Sequence, residues 1–197
     1  MTRLILIRHG PTEWNALHRL QGHTDMPLSP EGRARVEKWI LPEQFRACRW
    51  LASPLARAVE TATILLGREP PTDERLKEMS WGRWEGYTVH DLRTELGDEM
   101  RENEMRALDF QPPGGESPRQ VLERLRPLLS ELYEARETVV AVTHRGVMRA
   151  VYSEAAGWNM LGKPPHRLAD GAAQVFDLGP DGRALRFVDL LPLEADE

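Results

Sequence analysis

A three-layer α/β/α sandwich, with helices on both faces of a mostly parallel central sheet, is the fold this sequence predicts. Three observations carry it. The runs Leu4-Ile5-Leu6-Ile7 and Val139-Val140-Ala141-Val142 are short, continuous and rich in β-branched residues, as strands buried on both faces are. The chain between and around them is rich in amphipathic helical patterns, which places helices over both faces of the sheet. Three Ser-Pro pairs open helical stretches with capping chemistry. The 197 residues, 41% hydrophobic and 29% charged, can bury a sizeable core as one domain over 1–197.

Taken in order, the first strand runs from Leu4 to Ile7 and ends on Arg8-His9-Gly10. Ser29-Pro30-Glu31 sets a capping hydroxyl before a proline at the first helical position and leads into a helix through about Ile40. Arg49 to Ala52 is a weaker strand candidate, and Ser53-Pro54 repeats the helix-start chemistry before Leu55 to Leu66. Residues 97–115, charged and Met-containing, read as the mobile part and close on Pro112-Pro113-Gly114-Gly115. Ser117-Pro118-Arg119-Gln120 adds the Gln of a capping box. Val121, Leu122, Leu125, Leu128, Leu129 and Leu132 then recur at helical spacing. A helix follows the second buried strand, from about Val147 to Ala156. Ala172 to Leu178 and Ala184 to Val188, separated by the turn residues Gly179-Pro180-Asp181-Gly182, predict a terminal hairpin.

The net charge of -5 gives no reason to expect a nucleic-acid partner, although the 26 basic residues, mostly Arg, leave room for a local oxyanion pocket. Cys48 stands alone, so no internal disulfide forms, and it reads as a small buried hydrophobe. Leu4 to Ile7 is too short for a signal-peptide core, and no apolar stretch nears the roughly 20 residues that span a bilayer. The expectation is a cytoplasmic protein with no membrane partner.

The chemistry concentrates at two strand ends. In open α/β sheets, ligands bind beyond the carboxyl ends of the strands. The first buried strand delivers Arg8-His9-Gly10 there, with Gly10 allowing a sharp turn or a close approach to a ligand. The second runs into Thr143-His144-Arg145-Gly146, again with a His and a Gly. A neutral imidazole is a competent nucleophile near neutral pH, and a second imidazole can donate to an oxyanion.

With these residues in view, the sequence resembles the histidine phosphatase, or phosphoglycerate-mutase-like, superfamily across nearly its whole length. Leu6-Ile7-Arg8-His9-Gly10-Pro11-Thr12-Glu13-Trp14-Asn15 is similar to the family signature, continued by Arg19-Leu20-Gln21-Gly22-His23 and Leu28-Ser29. Ser53-Pro54-Leu55-Ala56-Arg57-Ala58 with Glu60-Thr61-Ala62 matches the second-arginine motif. Leu76-Lys77-Glu78-Met79 with Gly82 and Trp84-Glu85-Gly86 matches the acid motif. Pro113-Gly114-Gly115-Glu116-Ser117 and Thr143-His144-Arg145-Gly146 complete the order.

The resemblance implies a phosphoglycerate-mutase-like fold and a role for each matching residue. His9 would attack phosphorus and become a transient phosphohistidine, while Arg8, Arg57 and His144 bind the non-bridging oxygens. Those positive surroundings would disfavour protonation of His9. Glu78 would protonate the leaving oxygen and then activate water. Asn15, Gln21 and Gly22 would contact substrate or phosphate. Arg145 stands where the family commonly has Gly, so it either adds a cation to the pocket or points to solvent. Pro11 replaces a frequent Glu. Trp81 and Trp84 line a substrate mouth or pack in the core, with packing favoured, and His23, His90 and His166 read as ordinary polar residues. No cofactor or metal is implied. The partners implied are a small phosphorylated substrate and, from the dimers common among relatives, a second copy of the chain.

Three other readings compete with a phosphatase. A phosphoglycerate mutase would pass the phosphoryl group to a sugar acid, but bisphosphate-dependent mutases are longer and usually carry Glu-Arg-His-Tyr-Gly where this chain has Glu78-Met79-Ser80-Trp81-Gly82. A metallohydrolase using His9, His23 and His144 lacks metal-ligand spacing such as His-Glu-x-x-His. A silent binding module would have lost one of Arg8, His9, Arg57, Glu78 or His144, and all five are present.

Overall fold

The computed structural model describes residues 2–166 and 168–194. Its elements run β1 (Arg3–Arg8), α1 (Glu13–Ala16), α2 (Pro30–Val36), α3 (Glu43–Arg46), β2 (Arg49–Ala52) and α4 (Ala56–Leu66). They continue with α5 (Val89–Leu96), α6 (Asp98–Met105), α7 (Pro118–Ala135), β3 (Val139–Thr143), α8 (Arg145–Ala156), β4 (Ala172–Leu178) and β5 (Ala184–Pro192). No described helix is long and apolar enough to cross a membrane.

The sheet order is β2-β3-β1-β4-β5. β1 pairs in parallel with β3, from Leu4 opposite Val139 to Arg8 opposite Thr143, and β3 pairs in parallel with β2. β4 lies antiparallel against β1, and β5 antiparallel against β4. The mostly parallel sheet is therefore parallel only across β2, β3 and β1. The short connection between β4 and β5 can join only antiparallel strands, which explains the direction of β5 against β4.

Alternation along the strands builds the three layers. Leu4, Leu6, Val139 and Ala141 pack with Val121, Leu125 and Leu129 of α7 and with Val147 and Val151 of α8. Ile5, Ile7, Val140 and Val142 face the other way, onto Val36, Phe45, Ala58, Ala62 and Leu65 of α2, α3 and α4. A smaller cluster of Trp84, Leu92 and Met100 lies under α5 and α6.

Several boundaries differ from the sequence expectation for local reasons. The helix expected to reach Ile40 ends at Val36, because Lys38 and Trp39 close turns and the Ile40 N–H bonds the Leu193 carbonyl. α4 begins at Ala56 without a side-chain cap, so Ser53 is not a capping residue. Ser29 caps α2 by accepting from the Gly32 N–H at 2.9 Å, and Ser117 and Gln120 form the reciprocal cap of α7. Residues 97–115, read as mobile, contain α6 and the 3-10 turn Ala107–Asp109. Phe110 anchors that segment, with ring centroids 5.6 Å from Trp81 and 5.9 Å from Trp84. β5 continues past Val188 to Pro192.

Gly10 is needed for a reason the sequence reading did not give. A Cβ at this position would overlap Val36 Cγ2 of α2 and lie 3.3 Å from Leu28 Cδ2, so the glycine lets α2 press against the end of β1. Gly10→Ala is expected to destabilise the protein by about 1–3 kcal/mol, the usual cost of overpacking. In urea unfolding, adding Val36→Ala should cost less in the Gly10→Ala background than alone. Strictly additive losses would show that the Gly10–Val36 contact is not what requires the glycine.

Candidate active site

The in-register pairing of β1 with β3 brings the two histidines together. Arg8 lies opposite Thr143, and the His9 N–H extends the ladder by donating to the Thr143 carbonyl at 3.0 Å. His144 follows Thr143 directly, so the two imidazole centroids stand 5.1 Å apart. Both side chains are deeply buried, with His9 6% exposed and His144 not exposed at all.

His9 has a fixed tautomer. Its Nδ1 lies 2.7 Å from the Gly10 carbonyl, which can only accept, so Nδ1 carries the proton and Nε2 keeps the lone pair. Burial, then Arg8 and Arg57, hold the His9 pKa well below the ordinary histidine value. Gly10 is fixed in turn, because its N–H donates to Thr61 Oγ1 at 2.9 Å while that hydroxyl donates to the Arg57 carbonyl at 2.7 Å.

Arg57 lies at the start of α4 and is wholly buried. Its guanidinium donates to the Gly22 carbonyl at 2.8 Å, the Thr24 carbonyl at 3.0 Å and His144 Nδ1 at 3.3 Å. A guanidinium has five N–H donors, so two remain for an incoming anion. As Nδ1 of His144 accepts, its Nε2–H donates to Ser53 Oγ at 2.8 Å. Burial, followed by Arg57, holds the His144 pKa well below the usual value. Ser53, expected as a helix cap, is instead the partner that fixes this ring.

Arg8 pairs through Nη1 with Asp170 Oδ1 at 2.6 Å, while its buried Nε has no partner among the described residues. Asp170 also takes Arg145 Nη2 at 2.6 Å, which places Arg145 at the pocket although its side chain is 56% exposed. Burial works to raise the Asp170 pKa, but Arg8 and Arg145 outweigh it and hold the carboxyl below its ordinary value.

Glu78 is half-buried, and its Oε1 accepts from the Met79 N–H at 2.8 Å and the Gly146 N–H at 3.0 Å. A Cβ on Gly146 would overlap that oxygen, so the glycine after Arg145 makes room for the acid. The segment carrying Glu78 is held from behind. Arg124 donates to the carbonyls of Arg75, Lys77 and Glu78, and Thr143 Oγ1 donates to the Leu76 carbonyl at 2.8 Å. His23 Nε2 donates to the Glu78 carbonyl at 2.9 Å.

Arg8, His9, Asn15, Gln21, Gly22, Arg57, Glu78 and Arg145 all line one cavity of about 970 Å³. His144 lies beneath its wall rather than in it. Thr12 Oγ1 reaches Gln21 Oε1 at 3.0 Å, and the Thr12 N–H reaches Asn15 Oδ1 at 3.0 Å. Both amides therefore have their oxygens engaged and their NH2 groups left as donors. Trp81 lines the cavity whereas Trp84 is buried in the small cluster below. His90 lines the outer cavity, and His166 instead meets the Tyr152 hydroxyl at 2.7 Å.

Ser53, Arg124, Asp170 and the positioning role of Glu85 were not assigned from the sequence. Glu85 Oε1 accepts from the His23 N–H at 2.9 Å and Oε2 from the Thr24 hydroxyl at 2.6 Å, tying the Gln21–Thr24 loop to the acid segment. Its place in Trp84-Glu85-Gly86 was a usable signal. Asp170 sits in irregular chain and gave none. Among the described residues, no group of three or more His, Cys, Asp or Glu side chains could hold a metal ion.

Residues 4–190 match the model of the histidine phosphatase superfamily, branch 1. The chain is 32% identical to phosphoserine phosphatase 1 of Hydrogenobacter thermophilus, over 80% of this chain and 77% of that protein. It is 28% identical to a 2,3-bisphosphoglycerate-dependent phosphoglycerate mutase of Azorhizobium caulinodans, over 95% of this chain and 98% of that one. A solved mycobacterial glucosyl-3-phosphoglycerate phosphatase in complex with VO3 superposes with a TM-score of 0.77 at 27% identity, covering 99% of this chain and 100% of that one. The chain belongs to the histidine phosphatase superfamily.

The two imidazoles predict a pH dependence of stability. Their folded pKa values lie below the ordinary value of about 6.5, so in that interval the unfolded chain binds more protons than the folded one. Stability from these groups is complete above about pH 6.5 and falls as pH drops, by at most about 1.4 kcal/mol per pH unit for each ring. Urea unfolding at about pH 7.5 and about pH 5.5 should show a smaller loss in His144→Gln than in the parent. Equal losses would assign the acid sensitivity to other groups.

Proposed function

We propose that this member of the histidine phosphatase superfamily hydrolyses a small phosphorylated metabolite through a phosphohistidine on His9, without a metal ion. The observation that carries the reading is the free Nε2 lone pair of His9, fixed by the Gly10 carbonyl beside a buried guanidinium. In the first step His9 Nε2 attacks phosphorus and the bond from phosphorus to the ester oxygen breaks. Glu78 gives its proton to that oxygen. Oε1 of Glu78 is occupied by two backbone N–H groups, and Oε2, 3.3 Å from the Gly146 N–H, is the oxygen assigned to the proton.

In the second step Glu78 takes a proton from water, the water oxygen attacks phosphorus, and the P–N bond returns its electron pair to His9. Arg8 and the two remaining Arg57 donors neutralise the equatorial oxygens, which is the main demand of phosphoryl transfer. His144, beneath the cavity wall, is assigned to orient Arg57 rather than to touch the oxygens itself, since its Nδ1 accepts the Arg57 Nε–H and its Nε2–H is held by Ser53 Oγ. Asn15 and Gln21 are assigned their free amide donors toward the substrate.

A mutase reading is supported by the mutases among the relatives. The Glu78-Met79-Ser80-Trp81-Gly82 segment, in place of the mutase Glu-Arg-His-Tyr-Gly, favours water as the acceptor.

His9→Ala is expected to abolish hydrolysis of 4-nitrophenyl phosphate with the far-ultraviolet circular dichroism unchanged, and EDTA should leave the parent activity intact. Turnover persisting in His9→Ala, or activity lost to EDTA and restored by a divalent cation, would overturn the mechanism. Glu78→Gln should lower kcat by roughly 10²–10⁴ for an alkyl phosphate, the range of general acid catalysis, but far less for 4-nitrophenyl phosphate, whose leaving group needs no proton. Equal losses on both substrates would move the acid role to another residue.

A further inference from the structure

Arg145 stands where the family commonly has Gly, and the proposed hydrolysis gives it no role. Its place follows from the sheet, in which β1 is flanked by β3 on one side and β4 on the other. Arg145 comes just after the carboxyl end of β3, where Thr143 lies opposite Arg8. Ile7 lies opposite Ala173, so the chain entering the antiparallel β4 passes the same end of β1 and brings Asp170 to Arg8 from the other side. The Gly171 carbonyl accepts from the Leu193 N–H at 2.8 Å, which ties that entry to the chain leaving β5.

Asp170 divides its two oxygens. Oδ1 pairs with Arg8 Nη1 and Oδ2 accepts from Arg145 Nη2, each at 2.6 Å. A carboxylate facing a single guanidinium prefers to close on it as a fork, with two parallel N–H···O bonds. Here Oδ2 is turned to Arg145 instead, and Arg8 Nε is left without a partner among the described residues. The charges follow the geometry. Asp170 against Arg8 alone would make a neutral pair at the phosphoryl site and set a carboxylate beside an incoming dianion. Shared between two guanidiniums, the same carboxylate leaves one positive charge in excess. Arg8 and Arg145 are its ion-pair partners among the described residues.

We propose that Arg145 is a positioning residue for phosphoryl binding: it holds Asp170 Oδ2, so that Asp170 fixes Arg8 without cancelling the charge that Arg8 presents to the anion. The inference rests on the reading that the phosphoryl group is bound at Arg8 and His9. Arg145 acts through Asp170 and not by touching the substrate, which agrees with a side chain 56% exposed.

A double-mutant cycle, read by calorimetric titration with inorganic phosphate, separates this role from a direct contact. Arg145→Met is expected to weaken phosphate binding about fivefold, the size of a partly exposed charge contact. Arg145→Lys should recover most of that loss. Asp170→Asn keeps an acceptor for Arg8 and removes the negative charge, so it should bind phosphate at least as tightly as the parent. In the Asp170→Asn background, Arg145→Met should change binding by less than about twofold, because the carboxylate it restrains is gone. A contact of Arg145 with the anion, or a merely structural role, would keep its full cost there. Losses of the same size in both backgrounds, or no loss in Arg145→Met, would overturn the inference. If Asp170→Asn does not fold, Asp170→Ser completes the same arm of the cycle. Phosphate bound with additive losses sinks this inference alone, whereas neither hydrolysis nor phosphate binding in the unsubstituted protein would overturn the phosphatase reading with it.

Discussion

Arg57 is a full positive charge with no exposed surface, and the site is arranged around the problem of keeping it there. An unpaired buried ion costs several kcal/mol even after relaxation. Here the compensation comes from the carbonyls of Gly22 and Thr24 and, at longer range, from Glu78, Asp25 and Glu85. Those carbonyls belong to the loop that Glu85 ties to the acid segment, so the burial of one guanidinium fixes α4, the loop and Glu78 relative to one another. The charge remains under-neutralised. That is the condition in which a preorganised donor stabilises a developing oxyanion most strongly, because nothing must be rearranged when the anion arrives.

The same burial sets the state of the histidines. In low dielectric beside Arg8 and Arg57, a third and fourth positive charge would be costly, so both rings are held neutral. Neutrality alone does not make a nucleophile, because the lone pair must also be on the outward nitrogen. The Gly10 carbonyl makes that choice for His9, and Arg57 makes the opposite choice for His144 by donating to its Nδ1. Two chemically identical side chains 5.1 Å apart thereby acquire different tautomers from different neighbours.

How much of this was legible in the sequence depended on whether the cause was local. The buried strands were readable because Leu4 to Ile7 and Val139 to Val142 need no context to be recognised as apolar runs. The α7 cap was readable because Ser117 and Gln120 bond to each other's backbone within one turn. Ser53 misled for the opposite reason: Ser-Pro is a sound local signal, but the hydroxyl is claimed by His144, 91 residues away in the chain. Gly10 was seen as important, yet its cause is Val36 on another element. α5 and α6 went unread because their sequences are dominated by charge, with Leu92 and Met100 as their only fully buried side chains. Arg8, His9, Arg57 and Glu78 could be named in advance, whereas Asp170 and Arg124, which hold Arg8 and the Glu78 segment, could not.

The opposition between the whole molecule and its pocket bears on how a substrate is selected. A net charge of -5 repels a phosphate dianion at long range. At physiological ionic strength that repulsion fades beyond about 8 Å, and the contacts made inside the cavity decide the outcome. Among the described residues that line it, Arg8, Arg19, Arg57, Arg145 and Arg149 outnumber Glu78, Glu104 and Asp170. Selection in such a site falls on dissociation rather than encounter, since an anion that fails to engage the buried guanidinium gains nothing from the surface that led it in. The precision with which Glu85, Asp170 and the Gly22 and Thr24 carbonyls hold those cations is therefore also the precision with which one phosphate ester can be told from another.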